Sequence, residues 1–280
     1  MKGLQILNLR KLSSGGNGDL FLGQRSDNGE LVVVKFLRDV TPHGRRVFAR
    51  EVRILKAQRR YVISIIFARL DVERPFYVMP YLPGGSLTRW AGKLTEPQLL
   101  SVAFEIATAI AALHGSWISH GDIKPDNVLL DQDGHLRVSD PLGNGLGCTM
   151  LISENCGGTP GYWAPEVQAG QPITQAADVH SFGATIYHLL TGLTPRDGER
   201  LDLIADKVGS SPKAREIIAA CCQQKPDARP KIGDVLRMLR GDTWAAIRDE
   251  RQRLREGLTA LGWTAALVVG AGVLARALKE

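Results

Sequence analysis

This 280-residue chain has no long internal repeat and no low-complexity tract, so nothing interrupts a continuous globular body. Cysteine is scarce. Its four cysteines, two of them the adjacent pair Cys221-Cys222, offer neither a disulfide framework nor a zinc-ligand spacing with nearby histidines, and reduced thiols are expected. An excess of one charge sign is also missing: 35 Lys and Arg stand against 29 Asp and Glu, a formal net charge of +6 with the basic residues scattered. That lacks the electrostatic footprint of a nucleic-acid binder. The opening Met1-Lys2-Gly3-Leu4-Gln5 has no continuous apolar core of the signal-peptide kind, so the body is expected in the cytoplasm. What is abundant is apolar surface. With 44% hydrophobic residues the chain can bury a substantial core, and its length suits a two-lobed domain plus a short appendage.

The densest chemistry lies in His120-Gly121-Asp122-Ile123-Lys124-Pro125-Asp126-Asn127-Val128-Leu129-Leu130, which places an acid, an ammonium and an amide on one loop ahead of an apolar strand. The set suits phosphoryl transfer: a carboxylate accepts the proton of an attacking hydroxyl, a lysine neutralises the phosphoryl group, and an amide oxygen holds magnesium.

This loop resembles the catalytic loop of eukaryotic-type Ser/Thr protein kinases, His-Arg-Asp-x-x-x-x-Asn, and four further segments agree in the family's order. Val32-Val33-Val34-Lys35 resembles the third strand with its nucleotide-binding lysine, and Asp140 the metal-binding Asp. Ala164-Pro165-Glu166 resembles the close of the activation segment, and Asp178-Val179-His180-Ser181-Phe182-Gly183 the helix after it. The resemblance spans roughly residues 4 to 240. It implies an α+β, two-lobed protein kinase-like fold: a small antiparallel β lobe with one main helix over 1–82, and a larger, mainly helical lobe over 83–240.

For the first lobe, the short apolar runs Leu20-Phe21-Leu22 and Leu31-Val32-Val33-Val34 predict strands joined at Asp27-Asn28-Gly29. Val47, Phe48, Val52 and Leu55 recur at helical spacing. Lys35, central to an apolar strand, needs a partner, and Glu51 on that helix is the candidate. The glycine-rich turn Ser13-Ser14-Gly15-Gly16-Asn17-Gly18 can bring backbone amides to phosphate oxygens; by resemblance Gly15 and Gly18 are its second and third glycines, and Ser13 replaces the first. Phe76 to Leu87 resembles the last strand and hinge. There an adenine would meet the backbone at Pro80 and Leu82 and lie between Leu12, Leu20, Val33 and Leu129.

For the second lobe, Thr95-Glu96-Pro97 signals a helix start, and Asp131-Gln132-Asp133-Gly134 signals a hairpin that carries Asn127 and Asp140 to one magnesium site. The resemblance assigns Asp122 to the acceptor hydroxyl and Lys124 to the γ-phosphoryl. It assigns Thr159, in Gly158-Thr159-Pro160-Gly161-Tyr162, to a bond with that Asp and Lys. It makes Glu166 and Arg229 a buried ion pair, and it has Asp178 organise the loop backbone. Two departures stand out. Gly121 replaces the arginine that grips a phosphorylated activation loop, and Pro141-Leu142-Gly143 replaces Phe-Gly after Asp140, which predicts a stiffer segment holding Asp140 inward.

The implied function is ATP- and Mg²⁺-dependent phosphorylation of Ser/Thr in a protein substrate, with the catalytic set Lys35, Glu51, Asp122, Lys124, Asn127 and Thr159. Two alternatives stay open. Ser13, Gly121 and Pro141 also suit a pseudokinase scaffold, and the His-Gly-Asp loop also resembles small-molecule phosphotransferases, although these lack the Gly-Thr-Pro-Gly-Tyr-Trp-Ala-Pro-Glu platform. In the tail, 241–256 predicts an amphipathic helix. The uncharged stretch 257–275 is long enough for a ~30 Å hydrocarbon layer, and it reads either as a membrane anchor or as a helix packed on a partner, a second copy included, or on the domain itself.

Overall fold

A computed structural model of the chain describes residues 5–14, 18–57, 61–142, 160–205 and 211–260. It divides into two compact units, Met1–Leu239 and Arg240–Glu280.

The first unit begins with β1 (Ile6–Ser14), β2 (Gly18–Arg25) and β3 (Leu31–Leu37), then α1 (Pro42–Ala57), β4 (Phe67–Arg69) and β5 (Phe76–Pro80). These strands form one antiparallel sheet in the order β1-β2-β3-β5-β4. The β2–β3 hairpin closes as its sequence predicts: Gly29 takes φ 75°, which a β-carbon disfavours, and Asn28 Oδ1 accepts the Glu30 amide at 3.1 Å. Because side chains alternate along a strand, β3 serves two surfaces. Val32 and Val34 join Val78 in a core cluster under Ile66 and Phe67, while the strand's other face carries Lys35. On α1, Phe48, Glu51, Val52 and Leu55 are buried at helical spacing, and Phe48 stacks on Tyr77 of β5 at 5.3 Å between ring centroids.

The helical part holds α2 (Glu96–Gly115), a small sheet of β6 (Gly85–Ser86), β7 (Val128–Leu130) and β8 (Leu136–Val138), then α3 (Pro165–Gln168), α4 (Gln175–Thr191), α5 (Leu201–Ile204), α6 (Pro212–Cys221) and α7 (Ile232–Leu239). A capping box between Thr95 and Gln98 starts α2, with Pro in its first turn. Helix α4 is buried on every side from Ala177 to Leu189, the mark of a central core helix. Thr174 caps it, and Gly192 at φ 75° ends it. Its Gly183 lets α6 approach closely, since a β-carbon there would lie 2.6 Å from Cys222 Sγ. Cys221 and Cys222 are thus buried packing residues, and burial pushes both thiols up.

Burial also governs His180 of α4, whose Nδ1 lies 3.4 Å from the Tyr162 carbonyl. Desolvation, then the Arg229 charge, pushes it down to about 4 from the ordinary 6.5. A depressed histidine stabilises the fold above its unfolded pKa and loses that contribution as pH falls toward the folded value. Stability is therefore expected to drop between pH 6.5 and 4, by up to about 3 kcal/mol from this residue. Melting temperatures across that range should fall less steeply for His180→Asn; an identical slope would remove His180 as the cause.

In the second unit, α8 (Trp244–Ala260) extends the amphipathic helix expected over 241–256, with the Arg251 guanidinium 5.6 Å from the Trp244 ring centroid. The apolar stretch 257–275 lies, from residue 261 on, outside the described residues. Among the described residues, the helix apolar and long enough to cross a membrane is α2, whose Leu99, Ile106, Ile110 and Leu113 are buried in the core.

Candidate active site

Lys35 is 4% exposed in the middle strand of its sheet, a costly place for a cation without counter-charge. Its Nζ donates to Glu51 Oε1 at 2.7 Å and is paired with Asp140 Oδ1, a residue 105 positions away. Burial alone would lower its pKa, but the adjacent Asp140 and Glu51 carboxylates raise it above the ordinary lysine value. The two acids respond differently. Burial raises Glu51, whereas at Asp140 Lys35 outweighs burial and holds the carboxyl down to about 2. The Tyr77 hydroxyl donates to Glu51 Oε1 at 2.7 Å, and Ser139 Oγ donates to Asp140 Oδ2 at 3.0 Å. Neither Tyr77 nor Ser139 was picked out from the sequence, where one reads as strand core and the other as a polar neighbour.

The loop after Ile118 is fastened from α4 and α2. Asp178 accepts the His120 amide at 2.7 Å and the Gly121 amide at 2.8 Å, and its Oδ2 lies 2.8 Å from His114 Nε2. Thr185 Oγ1 donates to the Ile123 carbonyl at 3.3 Å. On this frame Lys124 Nζ reaches both Asp122 carboxylate oxygens, at 3.0 and 2.9 Å, and Asn127 Nδ2 donates to Asp122 Oδ2 at 2.7 Å and to the Asp122 carbonyl at 2.8 Å. Asp122 Oδ1, bonded among the described residues to Lys124 alone, retains acceptor capacity for an incoming hydroxyl.

The two groups of residues meet through backbone. The Ser139 amide donates to the Asn127 carbonyl at 2.8 Å, and the Ser139 carbonyl lies 2.9 Å from His120 Nε2. The structure therefore brings Lys35, Glu51, Asp140, Asp122, Lys124 and Asn127 to one place. Asn127 spends its amide hydrogens on Asp122, and its Oδ1 has no partner among the described residues. An all-oxygen pair of one amide and one carboxylate fits magnesium, which completes its shell from phosphates and water. Among the described residues no group of three or more His, Cys, Asp or Glu could hold a metal by itself.

The nucleotide positions are distributed along the sheet and hinge. Leu20 pairs across β2–β3 with Lys35, Val33 pairs with Met79, and Pro80 with Val32. Leu129 sits in β7 opposite Ser86, Leu12 on β1 is 42% exposed, and the Leu82 carbonyl accepts the Gly85 amide at 3.1 Å. Gly18 opens β2 rather than lying in the turn. Its tight neighbour is β3, since a β-carbon there would come 2.7 Å from the Phe36 carbonyl and 3.2 Å from the Lys35 stem. Gly15 and Thr159 lie outside the described residues.

Gly121 has φ 85°, and a β-carbon would meet Ile173 Cδ1 at 3.0 Å and Leu142 Cβ at 3.3 Å. The direction in which an arginine would extend is filled by apolar packing of Leu142, Ile173 and Trp163 around Ala164 and Val167. Gly121→Arg is thus expected to destabilise the domain by about 2 kcal/mol or more, through backbone strain and overpacking together. Chemical denaturation of the variant checks this; unchanged stability would mean that the apolar plug yields easily.

Below the loop, Glu166 and Arg229 form a two-pronged ion pair at 2.6 and 2.7 Å.

A family model described as protein kinase domain matches residues 6–239. Among curated proteins, the chain is 28% identical over 254 residues to a probable serine/threonine-protein kinase of Thermomonospora curvata, covering 84% of this chain and 34% of that protein. It is 32% identical over 198 residues to cAMP-dependent protein kinase type 3 of Saccharomyces cerevisiae, covering 67% and 48%. It is 30% identical over 226 residues to the serine/threonine-protein kinase Pkn1 of Myxococcus xanthus, covering 76% and 33%. The chain spans between a third and a half of the length of these relatives.

Proposed function

Because this chain belongs to the protein kinase domain family, we propose that its cleft transfers the γ-phosphoryl group of ATP to Ser or Thr hydroxyls of a protein substrate. The observation that carries this reading is the Asp122 carboxylate, held by Lys124 and Asn127 and joined through Ser139 to Asp140, Lys35 and Glu51. Such chemistry needs positioning and charge more than covalent participation. Asp122 orients the acceptor hydroxyl and takes its proton, Lys124 compensates charge on the phosphoryl oxygens, and Lys35, aimed by Glu51, secures the nucleotide phosphates. Asn127 Oδ1 and Asp140 would hold magnesium, which when bound neutralises phosphate charge. Lys124, two residues after Asp122, favours Ser/Thr over Tyr as acceptor by its likeness to that branch of the family.

The test is incubation with γ-labelled ATP, Mg²⁺ and casein, followed by phosphoamino acid analysis, with Asp140→Asn as control. Label on Ser and Thr that vanishes in the control and on chelation supports the reading. Nucleotide binding without transfer would instead favour a scaffold, and label on tyrosine alone would reject the acceptor class. The tail belongs to the same proposal as an attachment element, since four arginines between 248 and 255 precede the uncharged 257–275. Detergent-free fractionation with and without residues 257–280 separates membrane attachment from packing on protein.

A further inference from the structure

Three buried side chains, Lys35, Glu51 and Tyr77, meet at one oxygen of α1. Glu51 Oε1 accepts Lys35 Nζ at 2.7 Å and the Tyr77 hydroxyl at 2.7 Å. Lys35 and Tyr77 are direct partners across β3 and β5, so both side chains leave the sheet on the same face. Lys35 Nζ lies 5.8 Å from the Tyr77 ring centroid, within reach of the ring's attraction for a cation. Tyr77 is itself held at two points. Its backbone is paired to β3 on one side and β4 on the other, and its ring stacks on Phe48, three residues before Glu51 on the same face of α1.

Packing accounts for the ring but not for the hydroxyl. A phenylalanine would fill the same space and stack on Phe48 equally well, whereas a buried hydroxyl needs a partner, and here that partner is Glu51. Burial, then the Glu51 and Asp140 charges, pushes the hydroxyl well above the ordinary tyrosine range, so it stays a donor. Glu51 needs such a donor. Lys35 divides its ammonium between Glu51 and Asp140, and the Asp140 carboxylate acts on Glu51 as a like charge. In the proposed reaction the nucleotide phosphates make a further claim on the three protons of Lys35. The single proton of Tyr77 is committed to Glu51 throughout.

We propose that Tyr77 is a positioning residue for nucleotide: its hydroxyl holds Glu51, and through Glu51 the Lys35 ammonium, in place before the nucleotide arrives and while it is bound. The role rests on the protein being an ATP-dependent kinase. Two bonds tie the acid of α1 to the sheet, one from Lys35 and one from Tyr77. Removing the second leaves Glu51 with a shared donor beside a like charge, so Lys35 is aimed less tightly at phosphate.

The experiment compares the full chain with Tyr77→Phe, which keeps the ring, and with Phe48→Leu, a packing control that keeps the hydroxyl. Affinity for a fluorescent, non-hydrolysable ATP analogue is read by anisotropy, and kcat and KM are read with ATP and casein. In Tyr77→Phe, Kd for the analogue and KM for ATP are expected to rise about tenfold, the scale of one hydrogen bond to a charged group, with KM for casein unchanged. Phe48→Leu should lower the melting temperature and leave both nucleotide constants near the parent values. Circular dichroism verifies folding, and Kd is read on folded protein, so lost stability does not count as lost positioning. The proposal is overturned if Tyr77→Phe binds nucleotide as the parent does, if it loses kcat alone with both constants unchanged, or if Phe48→Leu weakens nucleotide equally. A parent protein that binds no nucleotide would reject the kinase reading itself, whereas equal binding by parent and Tyr77→Phe rejects only the role of Tyr77.

Discussion

Asp122→Asn is expected to lower kcat by about 10²–10⁴-fold, the usual contribution of a positioned general base, while leaving the melting curve nearly unchanged. The geometry explains why the small change is severe. Among the described residues, Asp122 Oδ2 takes donors from both Lys124 and Asn127, whereas Oδ1 takes only Lys124. An asparagine would turn its oxygen toward the doubly bonded site and leave its NH₂ facing the Lys124 ammonium, donor against donor. The substitution therefore removes the proton acceptor and displaces the lysine in one step. Loss of kcat with an intact KM for ATP is the diagnostic split, because Lys35, Glu51 and Asp140 are untouched. A kcat within threefold of the parent protein would end the assignment of Asp122 as base.

The second large effect is on stability. Arg229 is 3% exposed and all five of its N–H donors are engaged: Nε on the Gln223 carbonyl, Nη1 on Glu166 and the Ala176 carbonyl, Nη2 on Glu166 and the Gln224 carbonyl. Truncation strands Glu166 and three carbonyls together. Arg229→Ala is expected to cost about 3–5 kcal/mol, as for other broken buried pairs. Arg229→Lys should recover only part of this, since an ammonium offers three donors without the planar fork. Urea denaturation of both variants checks the ordering; equal stability of Lys and Arg at this position would show that charge alone, not geometry, holds the pair.

Much of this arrangement was legible beforehand because its signals are local. The turn at Asp27-Asn28-Gly29, the start at Thr95-Glu96-Pro97 and the hairpin at Asp131–Gly134 each depend on a few neighbouring residues, and each forms where expected. The Lys35–Glu51 pair was legible for a different reason: a lysine amid valines demands an acid, and the next helix carries one on its buried face. The remainder needed distance. Tyr77 looks like any strand aromatic until folding puts its hydroxyl on Glu51, and Ser139 gains meaning only once Asn127 and His120 bind its backbone. Gly18 was assigned to the phosphate turn, but its lack of a β-carbon is required by β3, a strand it meets only after pairing.

Asp178 carries a consequence for how this protein fails on heating. One carboxylate receives two successive loop amides and a histidine from α2, so the backbone just before Asp122 is tied directly to the central helix. Local fraying that silences the loop while the core persists would have to break these bonds first. Inactivation and melting of the helical core should share one temperature, and cooling should return both together.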